Sequence, residues 1–245
     1  MFLFIPAFSC AFEVDPYQKE DNSGLNLIFL PLNYSKKSDF TLDFERIAVR
    51  LKKTLPFSEF ADKISLYQVD ISPEEEKLFV KETQGFPPLV IRRDLLQNIS
   101  HSLQSSYKLV VVDAKGGVSC AELSDLARVS LIIVGRSRYS SADSFVQGFL
   151  HELGHSLGLR DECVNCRQLS GPGYPNCAAN KEDAVKYWGD LAVKDNGVNF
   201  IAGCCGNRKY IRPTLGSLMN DADKAGDYGA VNERYLRQVL INSGR

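Results

Sequence analysis

Apolar residues along this chain come in two kinds of run. Short β-branched and leucine-rich stretches at 25–30, 64–71, 109–112 and 129–134 have the length and composition of buried strands. Between them, apolar side chains return every three or four positions. Phe40, Phe44, Ile47, Leu51 and Leu55 form one such series, and Leu95, Leu96, Ile99 and Leu103 a second. Val146, Leu150, Leu153 and Leu157, widened by Phe145 and Phe149, form a third. Each marks a helix with one buried face. Strands alternating with helices predict an α/β lobe, a mixed twisted sheet carrying helices.

Local signals place the boundaries. Ser38 or Asp39 can cap the first helix, and Pro56 is expected to end it. Pro31 is expected to stop the first strand, because a residue without an N–H interrupts the ladder in the middle of a sheet. Ser72-Pro73-Glu74-Glu75-Glu76 carries a cap, a first-turn proline and acids at the positive end of a helix, so the acidic run is a helix start and not a binding site. His101 falls on the polar face of its helix beside Asn98 and Gln104 and is not expected to be a ligand. A Gly116-Gly117 turn and a short helical piece at 122–127 are expected to join the strands at 109–112 and 129–134. Ser140 with Asp143 makes the capping-box pattern that opens the next helix. Beyond Asp161 the texture turns to Gly, Pro, Asn and Cys until a final helix at 231–241, which predicts a small irregular, cysteine-rich C-terminal lobe.

A chain of 245 residues suffices for one core. The expected organisation is a loose N-terminal segment at 1–24, an upper α/β lobe at 25–158 and a lower lobe at 159–245. A formal net charge of −1 with both signs interspersed offers no long-range field for nucleic acid or an anionic membrane. The apolar stretch at 1–12 is too short to span a bilayer and reads as a signal-peptide core, with lipid attachment at Cys10 as a variant of that reading and a plain buried N-terminus as the alternative. The protein is therefore expected outside the cytoplasm, secreted or anchored at its N-terminus, and as a monomer. Cys120, Cys163, Cys166, Cys177, Cys204 and Cys205 remain beyond Cys10, an even number that suits disulfides in such a compartment. A structural zinc on Cys163, Cys166, Cys177 and one of Cys204 or Cys205 is the competing reading.

The chemistry concentrates in His151-Glu152-Leu153-Gly154-His155-Ser156-Leu157-Gly158-Leu159-Arg160-Asp161. Residues four apart share one face of a helix, so His151 and His155 can aim ring nitrogens at one ion, with Glu152 beside it. To reach the open side of that ion the chain must turn sharply. Gly158 tolerates the positive φ such a turn needs, and Asp161 then returns as a third ligand. Zinc on three protein ligands keeps a position for water and lowers its pKa to about 7, and Glu152 is placed to take the proton.

This motif resembles that of the metzincin clan of zinc proteases, in the variant where aspartate stands for the third histidine. Arg212-Pro213-Thr214-Leu215-Gly216-Ser217-Leu218-Met219-Asn220 resembles the clan's segment leading into a methionine turn beneath the metal. Within the clan the chain is most similar to the IgA-peptidase-type metalloproteases, through Leu55-Pro56-Phe57 followed by the strand at 64–70. The resemblance implies a central zinc-binding helix and one catalytic Zn2+ on His151, His155 and Asp161. It further implies Glu152 as general base, Met219 as a structural floor, and a protein or peptide substrate. It also makes the strand at 129–134 the edge on which an extended substrate adds. The clan's oxyanion tyrosine, two residues past the methionine, is Asp221 here, leaving Tyr210 and Tyr228 as candidates by sequence proximity only. A zinc amidase acting on a non-protein amide, and a non-catalytic zinc-bound envelope or adhesion module, are the alternatives to an endopeptidase.

Overall fold

The computed structural model describes residues 13–19, 24–83, 89–103, 106–123, 129–166 and 171–243. The apolar stretch at 1–12, with its signal-peptide and Cys10 readings, and the part of the expected helical piece at 124–127 lie outside the described residues.

The alternating runs fold as an α/β unit. In chain order come β1 (Glu13–Gln18), β2 (Leu25–Leu32), α1 (Lys37–Leu51), β3 (Ile64–Asp70), α2 (Pro73–Phe79), β4 (Val80–Glu82), β5 (Leu89–Ile91) and α3 (Arg93–Leu103). There follow β6 (Tyr107–Asp113), β7 (Ser119–Leu123), β8 (Val129–Gly135) and α4 (Ala142–Ser156). The remainder carries α5 (Lys181–Ala192), β9 (Ile201–Cys204), β10 (Asn207–Arg212) and α6 (Ala230–Asn242). The main sheet has the order β1-β3-β2-β6-β8-β7, in which β3, β2, β6 and β8 run parallel while β1 and β7 lie antiparallel at the two edges.

Side-chain alternation on β2 explains the layering. Leu27 and Phe29 join the core under α1, α4 and α6, whereas Ile28 and Leu30 point into the opposite core with α2 and α3. Both faces of the central strands are thus covered, which is why those strands read as continuous apolar runs. The α4 stripe of Phe145, Val146, Phe149, Leu150 and Leu153 is buried against the sheet. At its far end, the Lys108 ammonium at the start of β6 donates to the Ser156 carbonyl at 2.8 Å. Burial there lowers the Lys108 pKa to about 8.

Several expectations are corrected. Pro31 does not stop β2, which continues to Leu32 beside β6. Pairing with β3 ends at Phe29, so the missing N–H faces no strand there. Helix α1 ends at Leu51 rather than Pro56 and leaves Leu55 exposed; Thr54 folds back to donate to the Arg50 carbonyl at 2.9 Å. Its N-cap is Lys36, without a side-chain bond, and not Ser38 or Asp39. Ser141 with Ser144, not Ser140 with Asp143, forms the capping box of α4. Where a helical piece was expected at 122–127, Glu122 and Leu123 belong to strand β7. As a result β8 lies between β6 and β7 and is not an edge. In the C-terminal part, α5 and the β9–β10 pair interrupt what the sequence presents as irregular chain. The Ser72 capping box with Glu75, the burial of Leu95, Leu96 and Ile99, and the exposure of His101 agree with the sequence.

Among the described residues, no helix is long and apolar enough to cross a membrane. Two disulfides close in the C-terminal part, Cys163–Cys166 and Cys177–Cys204. Cys205 lies with its sulfur 3.2 Å from that of Cys177, and Cys120 is buried in β7. The four cysteines of the competing zinc reading do not converge. Cys177, Cys204 and Cys205 gather in one place, and Cys163 and Cys166 in another beside Asp161.

Candidate metal centre

The last two turns of α4 carry His151, Glu152 and His155, and the chain leaves the helix through Gly158, whose φ is 107°. A Cβ at that position would stand 2.5 Å from the Tyr235 hydroxyl, so glycine is required twice over, by the backbone and by the neighbour. The turn brings Asp161 back to the histidines. The two Nε2 atoms are 3.0 Å apart, and Asp161 Oδ1 lies 3.4 Å from that of His151 and 3.3 Å from that of His155.

Both imidazoles are fixed from behind. His151 Nδ1 faces the Leu218 carbonyl at 2.7 Å and His155 Nδ1 the Leu159 carbonyl at 3.0 Å. A carbonyl only accepts, so each Nδ1 carries the proton and each neutral ring presents the lone pair of Nε2 inward. Two lone pairs and a carboxylate turned toward one point repel each other unless a cation stands among them. A tetrahedral zinc with arms of about 2.0–2.1 Å separates its ligand atoms by about 3.3–3.4 Å. The two separations from Asp161 match that spacing, the 3.0 Å between the two Nε2 atoms is somewhat shorter, and the donor set fits zinc.

Without a metal, a proton takes the cation's place. Burial works against a charge on His155, but the hydrogen bond and the charge of Asp161 overcome it and raise its pKa to about 9. Asp161 is itself desolvated by burial, yet the histidines against its oxygen hold its carboxyl well below the ordinary range. Glu152 is buried, and that desolvation raises its pKa against the lowering pull of His151 and His155.

Met219 is fully buried beneath this cluster, its sulfur against Gly154 between the two histidines. Glu162, next to Asp161, is fully buried too and points away from the histidines into a polar network. Its carboxylate accepts from Ser217 Oγ at 2.7 Å, Asn176 Nδ2 at 2.9 Å and Asn232 Nδ2 at 2.8 Å, and its backbone N–H donates to the Met219 carbonyl at 2.7 Å. This network ties the Asp161 turn to the Met219 segment and to α6. From the sequence Glu162 is only the next carboxylate to try as third ligand should Asp161 fail, and nothing in the motif reveals this buried network. Neither tyrosine candidate offers a hydroxyl to the site. Tyr228 is fully buried and donates to the Leu150 carbonyl, and Tyr210 packs against Cys177, Cys204 and Cys205.

No protein-family model matches the chain, and no curated protein matches it. Among solved structures it is similar to archaemetzincin from Methanopyrus kandleri, at 10% identity and a TM-score of 0.42 over 91% of this chain and 99% of that one. The functional reading rests on the side chains.

Proposed function

We propose that this chain is a zinc-dependent endopeptidase of metzincin type, related to the IgA-peptidase-type enzymes. The observation that carries the reading is the convergence of His151 Nε2, His155 Nε2 and Asp161 Oδ1 within 3.0–3.4 Å of one another, with both Nδ1 protons committed to backbone carbonyls. His151, His155 and Asp161 would hold the ion. When bound, zinc supplies a strong Lewis acid and an acidified water at the open position.

Glu152 is the general base. Burial raises its carboxyl toward the pH at which it can accept a proton and release it again, and it passes that proton to the departing amine. The Leu218 and Leu159 carbonyls hold the two rings in the donor tautomer, and Met219 packs under the helix as the floor. β7 is the outermost strand on the α4 side of the sheet, and an extended peptide adds there as a further strand. The two disulfides accord with a site of action outside the cytoplasm.

The test is a digest of a peptide library by the zinc-loaded protein and by Glu152→Gln. The expected result is cleavage by the first only, at equal zinc content. Equal cleavage by both would remove Glu152 from the reaction, and cleavage by neither, with an amide of another class turned over, would replace the endopeptidase reading by the amidase.

A further inference from the structure

Cys163 and Cys166 lie beside the candidate metal centre. A carboxylate oxygen of Asp161 and the two sulfurs lie within 4.8 Å of one another. Asp161 therefore belongs to two clusters of metal-ligating atoms at once. In the oxidised chain the second cluster is closed, because Cys163 and Cys166 are joined to each other.

The two bridges of the C-terminal part differ in a way that bears on this. Cys177–Cys204 spans 27 positions and is wholly buried. Cys163–Cys166 spans only 3 positions and is half-buried. Stabilisation by a cross-link grows with the loop it closes, so the short bridge constrains the unfolded chain least. It is also the one a reductant in solution can reach. A staple is therefore a poor account of Cys163 and Cys166, while their place beside Asp161 is a specific one.

We propose that Cys163 and Cys166, once reduced, form with Asp161 a second, thiolate-rich metal site that takes a soft or borderline divalent cation such as zinc. The proposal rests on the metal reading of His151, His155 and Asp161 only in making Asp161 a carboxylate shared between two ions. The step balances with a dithiol reductant. Two electrons from the dithiol break the Cys163–Cys166 bond, the dithiol leaves as a cyclic disulfide, and its two protons pass to the cysteine sulfurs. Each sulfur then releases its proton to solvent as it takes the cation. Two thiolates and a carboxylate suit zinc, whose soft partners are thiolates. The redox state of one half-buried bridge would thus set how many ions Asp161 serves.

Cobalt(II) reports the outcome without any assay of activity. The protein is titrated with cobalt(II) as isolated, and again after treatment with a small dithiol removed by gel filtration under inert gas. Bound metal and the near-ultraviolet sulfur-to-cobalt charge-transfer band are followed. The oxidised chain should bind one ion with no such band, and the reduced chain a second ion with it. Cys163→Ser/Cys166→Ser should bind one ion without the band in both states. His155→Ala should weaken the first ion but keep the thiol-dependent one. No added ion and no band on reduction would overturn the proposal. A band without an added ion, or one that persists in Cys163→Ser/Cys166→Ser, would overturn it too, by assigning the sulfur to the histidine site or to Cys177, Cys204 and Cys205. An oxidised chain that binds nothing, with a reduced chain that binds one ion through sulfur, would sink the histidine site and leave this one standing.

Discussion

Gly154 leaves the space that Met219 fills. A Cβ built on Gly154 would stand 2.6 Å from the Met219 sulfur, 3.1 Å from Tyr228 Cε1 and 3.3 Å from Leu159 Cδ1. Helix α4 therefore sits closer to the segment beneath it than any other residue at this position would permit. His151 and His155 stand on either side of Gly154 in the same helix.

Gly154→Ala follows directly. Alanine gains about 1 kcal/mol of helix propensity over glycine. Forcing a methyl into a filled core costs about 1–3 kcal/mol, and Met219, Tyr228 and Leu159 are all buried, so packing outweighs propensity. The variant should lose stability in thermal or denaturant unfolding and bind zinc more weakly. Met219→Ala should cost less stability in Gly154→Ala than in the wild type, because the added methyl occupies part of the space the side chain leaves. An alanine variant as stable and as tightly loaded as the wild type would mean that the sulfur moves aside at no cost.

What the sequence disclosed follows where one physical signal dominates. The α4 stripe and the His151–Asp161 spacing are legible because helical period and ligand spacing are each strict. β7 is short, and its Cys120 and Glu122 give no clean alternation, so the sequence does not announce a strand beyond β8, whose place as an edge rests on the resemblance alone. α5 buries only Ala184 and Trp188 of its apolar residues and leaves Val185 exposed, so no helical stripe stands out, and the backbone breaks from helical geometry at Trp188. Glu162 is illegible for another reason. Its meaning lies in Asn176, Ser217 and Asn232, which are remote along the chain and meet only in the fold.

Glu162→Ala should be among the most damaging single changes. It leaves the amides of Asn176 and Asn232 and the hydroxyl of Ser217 without their acceptor in a fully buried place. Loss of one partner from such a network costs about 3–5 kcal/mol. Glu162→Gln keeps the shape but turns one acceptor into a donor facing donors, and should cost about 1–3 kcal/mol. Urea unfolding of the metal-free proteins measures both. Full stability in Glu162→Ala would show that water replaces the carboxylate.

Zinc uptake should carry a proton signature. His155 in the metal-free chain is raised to about 9, so below that pH the ion displaces a proton from it. Affinity should rise with pH up to about 9 and level off above. Titration calorimetry in buffers of different ionisation enthalpy counts the protons released. A count that does not change across pH 9 would remove His155 from the ligand set.

Asp161→Asn separates this site from an accidental pair of histidines, because Asp161 is both the proposed third ligand and the cause of the raised His155 pKa. Burial alone lowers a histidine pKa, and with the carboxylate gone nothing of equal strength opposes it. The sign for stability follows. A raised pKa stabilises the metal-free wild type fully below the ordinary value of 6.5, and that contribution is lost as pH rises through about 9. The melting temperature of the metal-free wild type should therefore fall across that window relative to Asp161→Asn. Zinc binding in the variant should be weaker, because an amide carbonyl is a neutral and poorer donor, and its proton release near neutral pH should shrink. The cluster also gains a positive charge, which makes the water at the open position more acidic and shifts remaining hydrolysis to lower pH. Unchanged affinity together with unchanged proton release in Asp161→Asn would place the third ligand elsewhere. Glu162, buried in its own network, could not take over that place.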